Sequence, residues 1–176
     1  MEPMMPPKLR VALLAFTTSL SLDVLTKQLV TRNLVFSDRI EIVDGFFYLT
    51  HVRNPGAAFG LFAGWPEQVR LAFFVGISLL ALGIVVSFFR RLAPGDRLSA
   101  LALGFISGGA VGNLIDRVTR HEVVDFLHFK LWQGYSWPDF NLADSFIVVG
   151  VGLLVLELLA SEGESRAGAE GDEPLA

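Results

Sequence analysis

The stretch LSALALGFISGGAVGNLIDRV, residues 98–118, is apolar for most of the width of a lipid bilayer and then ends on Asn113, Asp116 and Arg117. About 20 predominantly apolar residues cross the hydrocarbon core as a helix, with roughly 17–25 the workable range. Eight large apolar residues (Leu98, Leu101, Leu103, Phe105, Ile106, Val111, Leu114, Ile115) contribute roughly −0.3 to −0.6 kcal/mol each on insertion, about −4 kcal/mol together. An Asp or Arg at mid-helix costs about 2.5–3.5 kcal/mol, and less in the last turn, where Asp116 and Arg117 sit. The segment therefore inserts, and the question becomes what its polar end is for.

Three more windows of the same kind surround it, at residues 9–26, 69–89 and 140–160, with apolar residues all round instead of a one-sided stripe, and interrupted by Asp23, Asn141 and Asp144. Of 176 residues, 52% are hydrophobic and 18% charged, well below the roughly one-quarter charged residues of soluble domains; the mean hydropathy is +0.53. These features predict an all-α membrane protein: one domain over residues 1–160, four transmembrane helices and a small extracytoplasmic β-rich loop region. The start, MEPMMPPKLRVALLAFTTSLSLDVLTK, has the basic-then-apolar layout of a secretion signal. Its apolar part runs on through Thr26 with no small-residue cleavage site, so it reads as an uncleaved first span. Residues 161–176, rich in Gly and Glu with little to bury, are expected to form a disordered acidic cytoplasmic tail.

The link RRLAPGD (90–96) followed by Arg97 gathers three arginines around a Pro-Gly turn and marks the cytoplasmic side. Lys8 and Arg10 place the N-terminus there too, so residues 28–68 and 119–139 face outward and both chain ends face inward. Within the first outer loop, RIEIVDGFFYLTHV (39–52) alternates branched and aromatic residues around Asp44-Gly45, which predicts a hairpin at the membrane surface. Trp65, Trp132 and Trp137 lie near outer ends of spans, as interfacial anchors do.

With this parity the intramembrane polar residues share the outer end: Asp23 and Lys27, then Asn113, Asp116 and Arg117, then Asn141 and Asp144, each set spaced to one helical face. Ionisable residues at such depth mark function or pair between helices. Local neutralisation accounts for Asp23 with Lys27 and for Asp116 with Arg117. Asp144 has no basic residue within a turn of it. Asp125, in the stretch VVDFLHF, is read as part of a loop that dips back toward the membrane, and the two carboxylates resemble a dyad sharing one proton.

Other chemistries find no residues. The absence of cysteine excludes disulfides, thiolate metal sites and cysteine nucleophiles. His51, His121 and His128 offer no zinc-protease pattern and no span contains histidine; His121 and His128 read as surface or interfacial. No metal and no cofactor are expected, nor is nucleic-acid binding, for which there is no basic footprint. Ser107-Gly108-Gly109 reads as a place of close helix packing, not a phosphate loop. Glu157 stands alone at the cytoplasmic edge. A small proton- or ion-coupled transport component and a non-enzymatic assembly factor remain alternatives on the residues alone.

Five blocks in order carry a resemblance: DVLTK (23–27), NPGAAFG (54–60), GGAVGNLIDR (108–117), VVDF (123–126) and FNLADS (140–145). In these the sequence resembles the bacterial lipoprotein signal peptidase (signal peptidase II) family over nearly the whole chain apart from its two ends. The resemblance implies an inner-membrane aspartic endopeptidase that removes signal peptides from prolipoproteins just before a diacylglyceryl-modified cysteine. It matches Asp125 and Asp144 to the catalytic pair. It matches Asp23, Lys27, Asn54, Gly56, Asn113, Asp116, Arg117, Asn141 and Ala143 to positions that shape the pocket, bind substrate backbone or support the pair. Prolipoprotein substrates and membrane lipids are the implied partners, and a monomer is expected. The Gly- and aromatic-rich stretch NPGAAFGLFAGWP (54–66), with Asn54 and Phe59, is expected to close over substrate as a lid.

Overall fold

The structure, a computed structural model, describes residues 5–56 and 61–171, with side chains as far as Ser161 apart from that of Gln133. Four long helices, α1 (Pro7–Asn33), α2 (Glu67–Arg91), α3 (Arg97–Arg120) and α4 (Leu142–Gly171), are accompanied by three strands, β1 (Arg39–Val43), β2 (Phe47–Asn54) and β3 (Val123–Phe129). All four helices are long and apolar enough to cross a membrane. Their ends carry suitable signals: Pro7 opens α1, Glu67 lies in the first turn of α2 with Arg90 and Arg91 in its last, and His121 closes α3 in the left-handed conformation. The apolar span of α4 is Leu142–Ser161, yet the helix continues to Gly171, where the sequence reading expects disorder from 161. Ala, Glu and Arg in that stretch are good helix formers, and extending an existing helix needs no new nucleus.

α3 is the centre. Half of its apolar window is buried, against 6–17% for the other three, and α1, α2 and α4 all pack on it. Glycines make this possible. A Cβ on Gly104 would fall 2.6 Å from the Ala12 carbonyl oxygen, and one on Gly150 of α4 would fall 2.7 Å from the Ala102 carbonyl oxygen. Gly108 lies against Ser19 and Gly109 against the Ala143 carbonyl with no room for a side chain. The expected close packing around Ser107-Gly108-Gly109 is what this geometry consists of.

The Lys8 ammonium donates to the Leu92 carbonyl, and the Ser99 hydroxyl donates to the Glu157 carboxylate. These contacts gather the starts of α1 and α3 and the ends of α2 and the apolar part of α4 at one end of the bundle. Glu157 therefore does not stand alone; its partner is on a neighbouring helix, which sequence separation conceals.

The strands form one antiparallel sheet in the order β1-β2-β3. β1 and β2 make the expected hairpin, with Gly45 at φ +64° in its turn. β3 corrects the sequence reading: VVDFLHF is a strand, not a loop, pairing with β2 so that Val52 faces Asp125 and Asn54 faces Val123. Val124 and Phe126 pack with Val30 of α1, so the branched and aromatic residues that suggested a dip toward the membrane are buried by the sheet and α1. Phe140 then bridges to Leu127, exchanging backbone hydrogen bonds of 2.8 and 3.1 Å, and ties β3 to the start of α4.

Candidate active site

The site begins with a buried ion cluster. Lys27, only 2% exposed, sits 2.8 Å from Asp23 Oδ2 and 3.0 Å from Asp116 Oδ2, both carboxylates being buried as well. Arg120 Nε reaches Asp116 Oδ1 at 3.3 Å from the rim. Two anions are thus matched by two cations, the condition under which buried charge is tolerable. The local pairing of Asp116 with Arg117 is corrected: adjacent helical residues point about 100° apart, and Asp116 turns to Lys27 and Arg120 instead. Gly112 leaves the space that the Asp23 carboxylate occupies.

Each ion also holds backbone. Asp23 Oδ1 accepts the Ala143 N–H at 2.9 Å, and Asp116 Oδ2 accepts the Val124 N–H at 3.3 Å. The cluster thereby pins the two chain segments that carry Asp144 and Asp125. Ala143 is fully buried, and its contribution is a main-chain N–H toward Asp23 and a backbone carbonyl packed against Gly109 of α3.

From Lys27 the network runs outward through two asparagines. The ammonium donates to Asn113 Oδ1 at 2.8 Å, and Asn113 Nδ2 donates to Asp144 Oδ1 at 2.7 Å. Asn141 Nδ2 donates to Asp125 Oδ1 at 2.7 Å and to Asn113 Oδ1 at 3.2 Å. Asn54 Nδ2 donates to Asp125 Oδ2 at 3.0 Å from the neighbouring strand. Both carboxylates therefore receive amide donors.

Asn141 has a second task. Its Oδ1 accepts the Asp144 N–H at 3.0 Å while Asp144 Oδ2 accepts the Asn141 N–H at 3.2 Å. This reciprocal pair is a capping box at the first turn of α4, so Asn141 precedes the helix where the sequence reading put it inside the span. One capping pair thus fixes the position of Asp144.

Asp125 is buried on β3, 2% exposed, and burial followed by the charge of Asp144 pushes its pKa up to about 7, against the opposing pull of the Asn54 and Asn141 donors. Among the described residues neither Asp125 nor Asp144 has an ion-pair partner. Both face a cavity of about 390 Å³, whose lining includes Asn54, Gly56, Asn113, Arg117, Trp137 and Asp139. Arg117 lies there half-buried, with its guanidinium 4.8 Å over the Phe74 ring and no ion-pair partner among the described residues. Gly56 donates its N–H to Asn54 Oδ1 at 3.0 Å and packs against Leu61 with no space for a Cβ. Phe59 and the rest of 57–60 lie outside the described residues.

One group escaped the sequence reading. Asp139 accepts the Thr50 hydroxyl at 2.6 Å and lies 3.2 Å from His128 Nδ1. It joins β2, β3 and the approach to α4 beside the cavity. His128 is buried, not at the surface as expected, because β3 turns it into the sheet. Partners 89 residues apart leave no periodic trace that could have announced them.

Two carboxylates without counter-ions, fed by amide donors and open to a cavity, suit the activation of a water for hydrolysis. The sequence profile of the family described as Signal peptidase (SPase) II matches residues 15–160. Curated relatives include the lipoprotein signal peptidase of Geobacter sulfurreducens, 44% identical over 90% of this chain and 97% of its own length, and that of Bacillus subtilis, 42% identical over 82% and 90%. A solved bacterial membrane enzyme structure, determined by the in meso method at 2.3 Å resolution, superposes with a TM-score of 0.79 at 30% identity, covering 94% of each chain. A second, at 1.9 Å, gives 0.74 at 34% identity over 84% of this chain and 92% of that one.

Proposed function

The chain belongs to the signal peptidase II family, a family of membrane peptidases, and from this premise we propose that Asp125 and Asp144 hydrolyse the signal peptide bond of diacylglyceryl-modified prolipoproteins, just before the lipidated cysteine. The observation that carries the catalytic assignment is the pairing of two carboxylates with amide donors and no cation: Asn141 and Asn54 on Asp125, Asn113 on Asp144. The transport alternative gives way to the family match.

The pair binds one proton and one water. The ionised carboxylate takes a proton from the water as its oxygen attacks the scissile carbonyl carbon, and the protonated partner donates toward the carbonyl oxygen. Collapse of the tetrahedral intermediate breaks the C–N bond, with a proton passing to the departing amine. The peptide is cleaved by water alone, with no covalent enzyme intermediate. Because the two groups titrate together, the proton belongs to the pair. Arg117, lining the cavity with donors free of carboxylates, binds substrate carbonyls that have left water behind, where an unmet acceptor costs about 1–3 kcal/mol.

The arginine-rich α2–α3 link faces the cytoplasm, which puts the carboxylates near the outer interface, where the end of an inserted signal helix arrives. The chain acts as a monomer, and residues 54–66 close over bound substrate. A cross-link holding that segment to the outer end of α4 without loss of turnover would overturn the lid.

Separate Asp125→Asn and Asp144→Asn variants test the catalytic assignment, assayed on a lipid-modified, signal-bearing substrate in detergent with a chelator present. Each is expected to lose turnover by at least a thousandfold while its melting temperature shows a folded protein. Full activity in either variant sinks the dyad.

A further inference from the structure

At the end of the bundle away from the carboxylates, α1 and α2 lie apart over α3 and leave a cavity of about 620 Å³ between them. Leu13 and Phe16 of α1, Leu82, Val86 and Phe89 of α2, and Gly104 of α3 line it, with Arg90 at its edge. Gly104 supplies a floor without a side chain. Ser107, the hydroxyl in the lining, donates to the Gly104 carbonyl at 3.0 Å and offers no hydrogen to an occupant. The walls are therefore apolar along their length and cationic at one end.

Among the described residues, neither Lys8 nor Arg90 at that end has an ion-pair partner. The Lys8 ammonium touches the Leu92 carbonyl and lies 5.3 Å over the Phe89 ring, both uncharged. Arg90 is exposed. Asp96, in the same α2–α3 link, turns its carboxylate to the Ala93 N–H at 2.9 Å.

We propose that this cleft is a binding site for an anionic phospholipid, one acyl chain lying between α1 and α2 and the phosphate held by Arg90 and Lys8. Basic pockets between transmembrane helices recognise anionic headgroups in this way, by charge at the membrane surface and apolar contact below it. Charge also discriminates among occupants. A second copy of this chain would bring the same basic end into register. A signal helix is about 10–12 Å across and carries its own basic start, which Lys8 and Arg90 repel.

The test uses the intact chain in nanodiscs of equal phosphatidylglycerol and phosphatidylcholine with matched acyl chains, followed by native mass spectrometry of the lipids retained on release. The wild type is expected to keep phosphatidylglycerol at least tenfold over phosphatidylcholine. Arg90→Gln is expected to bring that ratio near one, and Leu82→Trp, which fills the cleft and keeps the charges, to lower retention of both lipids. Val86→Phe serves the same purpose if Leu82→Trp melts early. Equal retention of the two lipids by the wild type, an unchanged ratio in Arg90→Gln, or undiminished retention in a folded cleft-filling variant would each overturn the site. Lipid retention is read without peptide cleavage, so this outcome is independent of the dyad.

Discussion

At the scale of single residues, Lys27 and the amide of Asn113 decide how the site holds together. Lys27 is shared by two buried carboxylates and an amide oxygen, so Lys27→Met leaves Asp23 and Asp116 buried without their inner cation. Breaking a buried ion pair from one side costs about 3–5 kcal/mol, and a clear fall in melting temperature in detergent is the expected reading. If Asp125 belongs to the catalytic pair, as proposed, it sets the pH behaviour. Its pKa of about 7 comes from burial and from Asp144, so raising pH through that value would remove the proton the pair needs as its acid, and kcat/KM is expected to fall on the alkaline side. Asn54 donates to the Asp125 anion and so holds that value down. Asn54→Ala should move the alkaline limb to higher pH while lowering the rate; a limb that stays put or moves down would separate Asp125 from the observed ionisation.

At the scale of elements, the start of α4 couples folding to chemistry. Asn141 caps the helix through its oxygen and binds Asp125 through its nitrogen. Asn141→Asp keeps an acceptor for the cap and loses the donor, placing a further carboxylate beside Asp125. Its turnover is expected to fall at least a hundredfold and its melting temperature to fall too, because a fully buried carboxylate beside Asp125 has no cation; Asn141→Ala adds no charge and loses about 0.5–2 kcal/mol of capping. At the α1–α3 crossing, Gly112→Ala drives a Cβ into an Asp23 carboxylate already fixed by Lys27 and Ala143. A loss of about 1–3 kcal/mol from overpacking is expected, seen as a lower melting temperature.

These elements also show what a sequence reveals and what it hides. The four helices were legible because insertion into lipid depends on local composition, which any window of twenty residues displays. The β1–β2 hairpin was legible from alternation around Asp44-Gly45. β3 was not: VVDFLHF is short, carries an acid in its middle, and pairs with a strand some seventy residues earlier. Depth and spacing picked out Asp23, Lys27, Asn113, Asp116, Arg117, Asn141 and Asp144, whereas Asn54, Gly56 and Ala143 came only from the family resemblance, and, the Asp23–Lys27 pair apart, their partners stayed hidden. Asp116 stands next to Arg117 in the chain and turns to Lys27 in space; Asp139 gives no sign in the sequence of meeting Thr50 and His128.

At the scale of the whole molecule, the polar cluster and the basic end lie at opposite ends of one bundle, and sidedness can be read by labelling. The chain has no cysteine, so a single introduced thiol gives an unambiguous signal. Asp44→Cys in the β1–β2 turn should react with a membrane-impermeant maleimide added outside intact spheroplasts, and Gly95→Cys in the α2–α3 link should react only after lysis. The reverse pattern would invert the orientation and put the carboxylates on the cytoplasmic side.

The hairpin has a mechanical meaning beyond holding Asn54 in place. Ile40, Ile42 and Val43 of β1 are about half exposed, as is Phe46 beside the turn, in a strand that bulges between Glu41 and Val43. On the orientation proposed above, these apolar groups would meet the bilayer surface and set the height of the sheet above it. Because the same sheet carries Asp125 and is stitched through Phe140 to the start of α4, that height would be passed on to both proposed catalytic carboxylates. If the proposed pair is the catalytic one, the site would then gauge depth, the bond it cuts being set by how far that bond stands above the lipid.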